Sequence, residues 1–292
     1  MVRDAGVKVV LTGEGADEML GGYLPFRRDS ILYDARLSES QKMTLLSDMY
    51  KNNFSSRGIF MQHGEGVDSV FGPVLSRLGW LPSIYTSYGQ LGIKLMSFFR
   101  DDLLAEHGKI NPFSILFDRL LIDLSNIKKI DRVNQALYLN SKVFLPNQIL
   151  AFLGDRMEMA HSVEGRLPFL DRQFAEFAAS IPLDMKINKG CEKYILREVS
   201  KDVVIPQVYR RQKHPFSAPT VADKRNLMMS FYYDILTSDA AKNQPVFDQK
   251  KSLSLLDNIT KNPQDQRISD ESNVQFMVSV AIMHEKFGMT ES

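Results

Sequence analysis

The stretch that most constrains this chain is Val9-Val10-Leu11-Thr12-Gly13-Glu14-Gly15-Ala16-Asp17-Glu18, followed by Gly21-Gly22-Tyr23. Val7, Val9, Val10 and Leu11 form a short, β-branched apolar run of the kind found in strands covered on both faces. Gly13 and Gly15 then let the backbone turn sharply and approach a ligand without a Cβ in the way. With a helix starting near Gly15, Glu14 stands three residues from Asp17 and four from Glu18, so the acids share a face. Like charges placed together need a cation between them, and Mg²⁺ with nucleotide phosphates supplies one. The plainer alternative is a strand-to-helix turn with solvated acids, and this stretch alone leaves both open.

Composition narrows the class. A chain of 292 residues buries a full core in one or two domains, and 44% apolar with 24% charged residues is ordinary for a globular protein. A net charge of +1 gives no reason to invoke nucleic acid or an acidic membrane surface. The single cysteine, Cys191, excludes an intrachain disulfide and fits a reducing compartment. No apolar run approaches the roughly 18 residues of a membrane span, and the first residues carry no signal-peptide pattern. The expectation is a soluble, cytoplasmic protein. The strand also begins very close to Met1, and few other strands are legible. Parallel strands normally have βαβ neighbours, so the chain is expected to lack the N-terminal part of its own sheet.

The rest reads as mostly helical. Leu24 to Arg57 has a helical pattern, with a start signal at Ser38 and Gln41 three residues on. Gly58 to Gly92, with Pro73, Pro82 and Trp80, suggests short helices joined by loops, and Ile93 to Asp123 recurs at helical spacing around Pro112. Val133, Ala136, Leu137, Asn140 and Phe144 trace one stripe, ended at Leu145-Pro146 with Pro146 opening the next helix. Asp171 is expected to cap a helix that buries Phe174, Phe177, Ala178 and Ile181 and stops at Pro182. A short helix follows Gly190, from Glu192 to Lys201, and a final one from about Asp270 buries Val274, Met277, Val278, Ala281 and Ile282. No repeat or linker divides the chain, which reads as one mostly helical domain attached to a remnant of α/β sheet.

Three further groups carry chemistry. Asp155-Arg156-Met157-Glu158-Met159-Ala160-His161 with Glu164 to Asp171 mixes charges among apolar residues, which suggests a partly buried salt-bridge network. Lys193, in Lys189 to Arg197, is placed against the dipole at the first turn of a helix, where a bound phosphate would justify a lysine. Arg210-Arg211-Gln212-Lys213-His214 is either a solvated basic loop or a pyrophosphate clamp. The histidines His63, His107, His161, His214 and His284 have no metal-ligand spacing. Cys191 sits in no motif and reads as a packed or surface thiol.

Taken in order, these motifs resemble the C-terminal portion of the synthetase domain of glutamine-dependent asparagine synthetases. Thr12 to Glu18 with Gly21-Gly22-Tyr23 matches that family's second nucleotide motif. Asp155-Arg156-Met157-x-Met159-Ala160-His161-x-x-Glu164-x-Arg166-x-Pro168-Phe169-Leu170-Asp171 matches its helical-lobe signature. Lys193-Tyr194-Ile195-Leu196-Arg197 and Arg211-x-Lys213-x-x-Phe216-Ser217-x-Pro219 follow in family order. The resemblance covers about residues 1–25 and 130–220.

The resemblance implies a truncated α/β fold of the adenine-nucleotide alpha-hydrolase (PP-loop) type, mostly helical here, with residues 1–292 forming the C-terminal part of the synthetase domain. It implies an ATP-dependent amide ligase that uses ATP and Mg²⁺. A substrate carboxylate, aspartate or a related one, attacks the α-phosphate, and ammonia from a glutaminase domain or subunit supplied elsewhere displaces AMP. Thr12, Gly13 and Glu14 match positions lining the ATP pocket, with Lys213 near the phosphates. Glu14 and Lys193 match the catalytic acid and lysine, and Asp17 matches a Mg²⁺ ligand. No nucleic acid or membrane partner is implied, and a homodimer is among the assemblies it allows. The sequence departs from the family in having no Ser-Gly-Gly-x-Asp-Ser loop and no N-terminal nucleophilic cysteine, so the chain alone is expected to make no asparagine. Two alternatives stand beside this. One is an amide synthetase of secondary metabolism or peptide modification, such as a β-lactam-forming relative, against which the retained Glu14 weighs. The other is a non-catalytic fragment acting as a binding or assembly partner.

Overall fold

The computed structural model describes residues 2–53, 68–120, 124–211, 213 and 227–289. They divide into two compact units. One comprises Met1–Lys51, Pro82–Ile84 and Asp123–Lys213, the other Asn52–Leu81, Tyr85–Ile122 and His214–Ser292. Among the described residues, no helix is long and apolar enough to cross a membrane.

In the first unit, strand β1 (Val9–Leu11) pairs in parallel with β2 (Glu164–Arg166), Val9 opposite Glu164 and Leu11 opposite Arg166. A small parallel sheet in a mostly helical chain matches the expected pattern. The expected burial does not follow, since Val9 is 39% and Leu11 74% exposed. Among the described residues, β1 has one strand neighbour, and the Arg156–Ala160 helix packs on β2. A short apolar run reports strand propensity but not how many neighbours cover it.

Three helices form the core that matters for the site. Leu20, from the Ala16–Leu20 helix, is buried against Ala178 and Ile181 at the end of the Arg172–Ser180 helix. Met19, Phe174, Ile195 and Leu196 pack around them, the last two from the Tyr194–Ser200 helix. A fully buried Leu is worth about 1.5–3 kcal/mol, enough to fix short helices that would not form alone. The Asp171 carboxylate caps the Arg172–Ser180 helix at the amides of Gln173 (2.9 Å) and Phe174 (3.2 Å). Phe177, expected in the core, is instead 61% exposed. Its place is on the helix's outer side, and the apolar stripe that packs is only Phe174, Ala178 and Ile181.

Val133, Ala136, Leu137 and Asn140 are buried along the Arg132–Phe144 helix, as their spacing predicts. The expected break at Leu145-Pro146 is a change of helix type. The Arg132–Phe144 helix gives way to a π-helical segment, Leu145–Asp155, with Pro146 in its first turn as expected. Ser38 and Gln41 form the expected capping box of the Glu39–Asn52 helix. The Ser38 amide donates to Gln41 Oε1 at 2.8 Å and the Gln41 amide to Ser38 Oγ at 3.3 Å.

The second unit is helical. Tyr232, Leu236, Phe247, Leu256, Ile259, Val274, Met277 and Val278 form its main core. The last helix, Gln264–Phe287, starts earlier than the expected position near Asp270, which is buried within it. Phe71, Tyr85, Phe113 and Phe117 stack as a second cluster. Among the described residues of the stretch from Gly58 to Gly92 lie the Asp68–Leu78 helix, with Pro73 inside it, and most of the Ser83–Met96 helix.

Candidate functional site

The glycines of the opening motif shape its turn. Gly15 lies at φ +92°, where a Cβ would come within 2.3 Å of the Leu170 side chain. The turn after β1 is thus seated directly on the Pro168–Leu170 segment of the helical-lobe signature. Gly21, at φ +71°, ends the Ala16–Leu20 helix, and the Gly22 amide donates to the Asp17 carbonyl at 2.8 Å.

The three acids do not share one partner. Asp17 turns to two lysines, with Lys193 Nζ 2.8 Å from Oδ1 and Lys213 Nζ 2.9 Å from Oδ2. Burial pulls the Asp17 carboxyl upward, but the two ammonium groups outweigh it and hold the acid below its ordinary range. Glu18 has a different partner: it is 2% exposed and accepts a hydrogen bond from Tyr23 OH at 2.6 Å. Burial raises its pKa, partly offset by the tyrosine. Glu14 precedes the helix. Its Oε2 and the Thr12 hydroxyl are buried without a hydrogen-bond partner among the described residues. The Thr12 amide extends the sheet by donating to the Arg166 carbonyl at 3.0 Å, and Gly13 is exposed. The cation that the clustered acids call for is supplied, at Asp17, by the chain itself.

Lys193 is placed by local backbone rather than by a helix dipole. Strands β3 (Ile187–Asn188) and β4 (Cys191–Glu192) form a hairpin around Lys189 at φ +47° and Gly190 at φ +78°. Two central residues at positive φ are the mark of a tight hairpin turn whose twist suits its strands. Glu192 therefore lies in a strand, and the helix expected from Glu192 begins at Tyr194. Lys193 sits before it at φ +51°, a left-handed conformation that costs a non-glycine residue about 1 kcal/mol or more.

Around the lysines lies a group that the motifs did not assign. Glu192, 3% exposed, accepts from Arg197 Nη2 at 2.5 Å and from the Lys213 amide at 3.3 Å through Oε1, while its Oε2 is 3.3 Å from Arg27 Nη1. Arg197 lies in the Lys193-to-Arg197 motif, four residues after Lys193, and that spacing is the available signal. Glu192 directly precedes that motif, but two of its partners, Arg27 and Lys213, are distant in sequence.

Other expectations fare unevenly. Asp155, Arg156, Glu164 and Arg166 are exposed rather than partly buried, with Arg166 bonded to Glu164 at 2.8 Å. Arg210 and Arg211 are exposed, so among the described residues of the basic run only Lys213 reaches the site. His214, Phe216, Ser217 and Pro219 lie outside the described residues. Cys191 is half-buried and its thiol is pushed up by that burial, which suits a packed thiol. Among the described residues, no group of three or more metal-ligating side chains is assembled. A Mg²⁺ at Asp17 would find one protein carboxylate, already bonded to two ammonium groups, and would take its remaining octahedral ligands from phosphate oxygens and water.

A strand, a glycine turn and a short helix thus present one carboxylate to two converging lysines. The chain matches the family model described as asparagine synthase over residues 1–285, and it belongs to that family. It is 30% identical to Amidase chry2 of Gibberella zeae over 75% of this chain and 33% of that protein. It is likewise 30% identical to Amidase chyE of Penicillium rubens, over 75% and 33%. It is 28% identical to asparagine synthetase [glutamine-hydrolyzing] 1 of Bacillus subtilis, over 79% and 34%. The chain thus spans about a third of the length of these relatives.

Proposed function

We propose that this chain carries one side of the nucleotide site of an ATP-dependent amide ligase, in a frame of the adenine-nucleotide alpha-hydrolase type. The observation that supports this most is the convergence of Lys193 and Lys213, each within 2.9 Å, on the two oxygens of Asp17 in the glycine turn. Two fixed ammonium groups suit the non-bridging oxygens of a phosphoryl group, where charge develops as a carboxylate attacks the α-phosphorus and pyrophosphate leaves. The same charge stabilises the tetrahedral species formed when an amine displaces AMP. Glu14 has an unpartnered buried oxygen available to accept a proton from that amine. Thr12 and Gly13 line the nucleotide side, and Asp17 is the residue assigned to Mg²⁺ accompanying the nucleotide. The substrates in this reading are aspartate and an ammonia donor supplied by a glutaminase domain or subunit.

Calorimetric titration of the chain with MgATP and with pyrophosphate tests the reading. Lys193→Met and Lys213→Met should each weaken binding by about tenfold, the ~1.4 kcal/mol expected for one charge-assisted contact. Binding that both variants leave unchanged would sink the proposal.

A second reading concerns the acceptor. Two relatives at 30% identity are named amidases rather than asparagine synthetases, so the second reading is amide chemistry on a carboxylate other than aspartate. Aspartate that fails to alter MgATP affinity, where another carboxylate does alter it, would select this second reading.

A further inference from the structure

We infer that Glu192 and Arg197 are positioning residues that set the spacing of Lys193 and Lys213, an inference that rests on reading those lysines as an anion-binding pair. The two lysines come from separate segments. Lys193 joins the β3–β4 hairpin to the Tyr194–Ser200 helix, and Lys213 follows the Pro206–Arg210 helix. Lysine side chains are flexible four-carbon stems, so two of them act as one site only if both backbones are anchored at a fixed separation.

One guanidinium and one carboxylate do this. Arg197 donates through Nε to the Glu192 carbonyl at 3.0 Å and through Nη2 to Glu192 Oε1 at 2.5 Å. Its Nη1 bridges the carbonyls of Tyr209 (3.0 Å) and Arg211 (2.9 Å), four and two residues before Lys213 in the sequence. Glu192 Oε1 then accepts from the amide of Lys213 itself at 3.3 Å. The carboxylate adjacent to one lysine therefore holds the backbone of the other. An ordinary buried ion pair would need only its charged partners. This one also grips two carbonyls and one amide of the segment that delivers Lys213, a geometry open to the planar fork of arginine and closed to lysine.

The test uses the chain with two readouts, titration with pyrophosphate and labelling of each lysine by acetic anhydride across pH, read by mass spectrometry. Glu192→Gln keeps shape and an acceptor, and Arg197→Lys keeps charge while losing the fork. The first variant covers the case in which the second does not fold. Each folded variant should label Lys213 several-fold faster, relative to the exposed Lys201, and bind pyrophosphate about tenfold more weakly. In a Lys213→Met background, Glu192→Gln should cause little further loss, because it acts through the residue already removed. Unchanged Lys213 labelling in folded variants, or losses that simply add, would overturn the inference and leave a structural ion cluster. Absence of pyrophosphate binding by the wild-type chain would instead overturn the anion-site reading, while the labelling still decides whether Glu192 and Arg197 position Lys213.

Discussion

A Cβ at Gly22 would lie 1.8 Å from Oδ1 of Asp17 and 2.9 Å from its Cα. The second glycine of the Gly21-Gly22 pair thus leaves the room in which the Asp17 carboxylate meets Lys193. Rotating the Asp17 side chain relieves only part of the clash, since the backbone atom is also too close. Gly22→Ala should destabilise the fold by about 1–3 kcal/mol, the usual cost of overpacking. It should also weaken pyrophosphate binding, measured by urea denaturation and calorimetry on the same variant.

Asp17 makes stability depend on pH in the acid range. Its pKa in the folded state is depressed, net of a burial effect that opposes the lysines. Its contribution is fully present above the ordinary value of 3.8 and is lost as pH falls through the lower folded value. Urea titrations of wild type and Asp17→Asn should therefore differ at neutral pH and converge in strong acid. A difference that persists unchanged to the lowest pH would show that the variant acts through something other than charge.

Asp29 shows the opposite sign. It accepts from the Ser83 amide through both oxygens, at 3.2 and 3.0 Å, and from the Ser83 hydroxyl at 2.5 Å. Burial nevertheless pushes it up to about 7, with those bonds and Arg28 only partly offsetting it. Between its ordinary 3.8 and about 7 the folded state holds a proton that the unfolded chain has released, so stability falls as pH rises through that window. Asp29→Asn should remove this slope, and the wild-type slope should be read between pH 4 and 7 by urea denaturation.

Glu18 depends on Tyr23. Tyr23→Phe removes the hydrogen bond to a carboxylate that burial already raises. The loss should be about 1–3 kcal/mol where Glu18 is ionised, as expected for an unsatisfied buried group, and smaller where it is protonated. Denaturation of Tyr23→Phe across a pH series should show the deficit growing as pH rises and Glu18 ionises. A deficit that stays the same across the series would mean that the charge on Glu18 does not carry the effect.

At the Glu39–Asn52 helix, Ser38→Ala breaks an exposed capping box and should cost about 1 kcal/mol without altering pyrophosphate binding. It serves as a control for variants nearer Asp17.

Local chemistry in this protein was legible from sequence. The capping box at Ser38, the Asp171 cap and the buried stripe Val133, Ala136, Leu137 and Asn140 follow from spacing, because caps and helix faces depend on residues three and four apart. The order of four motifs pointed to the family before any fold was known. Tertiary structure alone decided how the acids divide. Asp17 goes to two lysines, one of them 196 residues away, Glu18 goes to Tyr23, and Glu14 is left with an unpartnered oxygen. It also decided that β1 is exposed and that Lys193 leaves a hairpin in a left-handed turn. Ion pairing and burial depend on what distant segments bring to the same place, and no spacing along the chain encodes that.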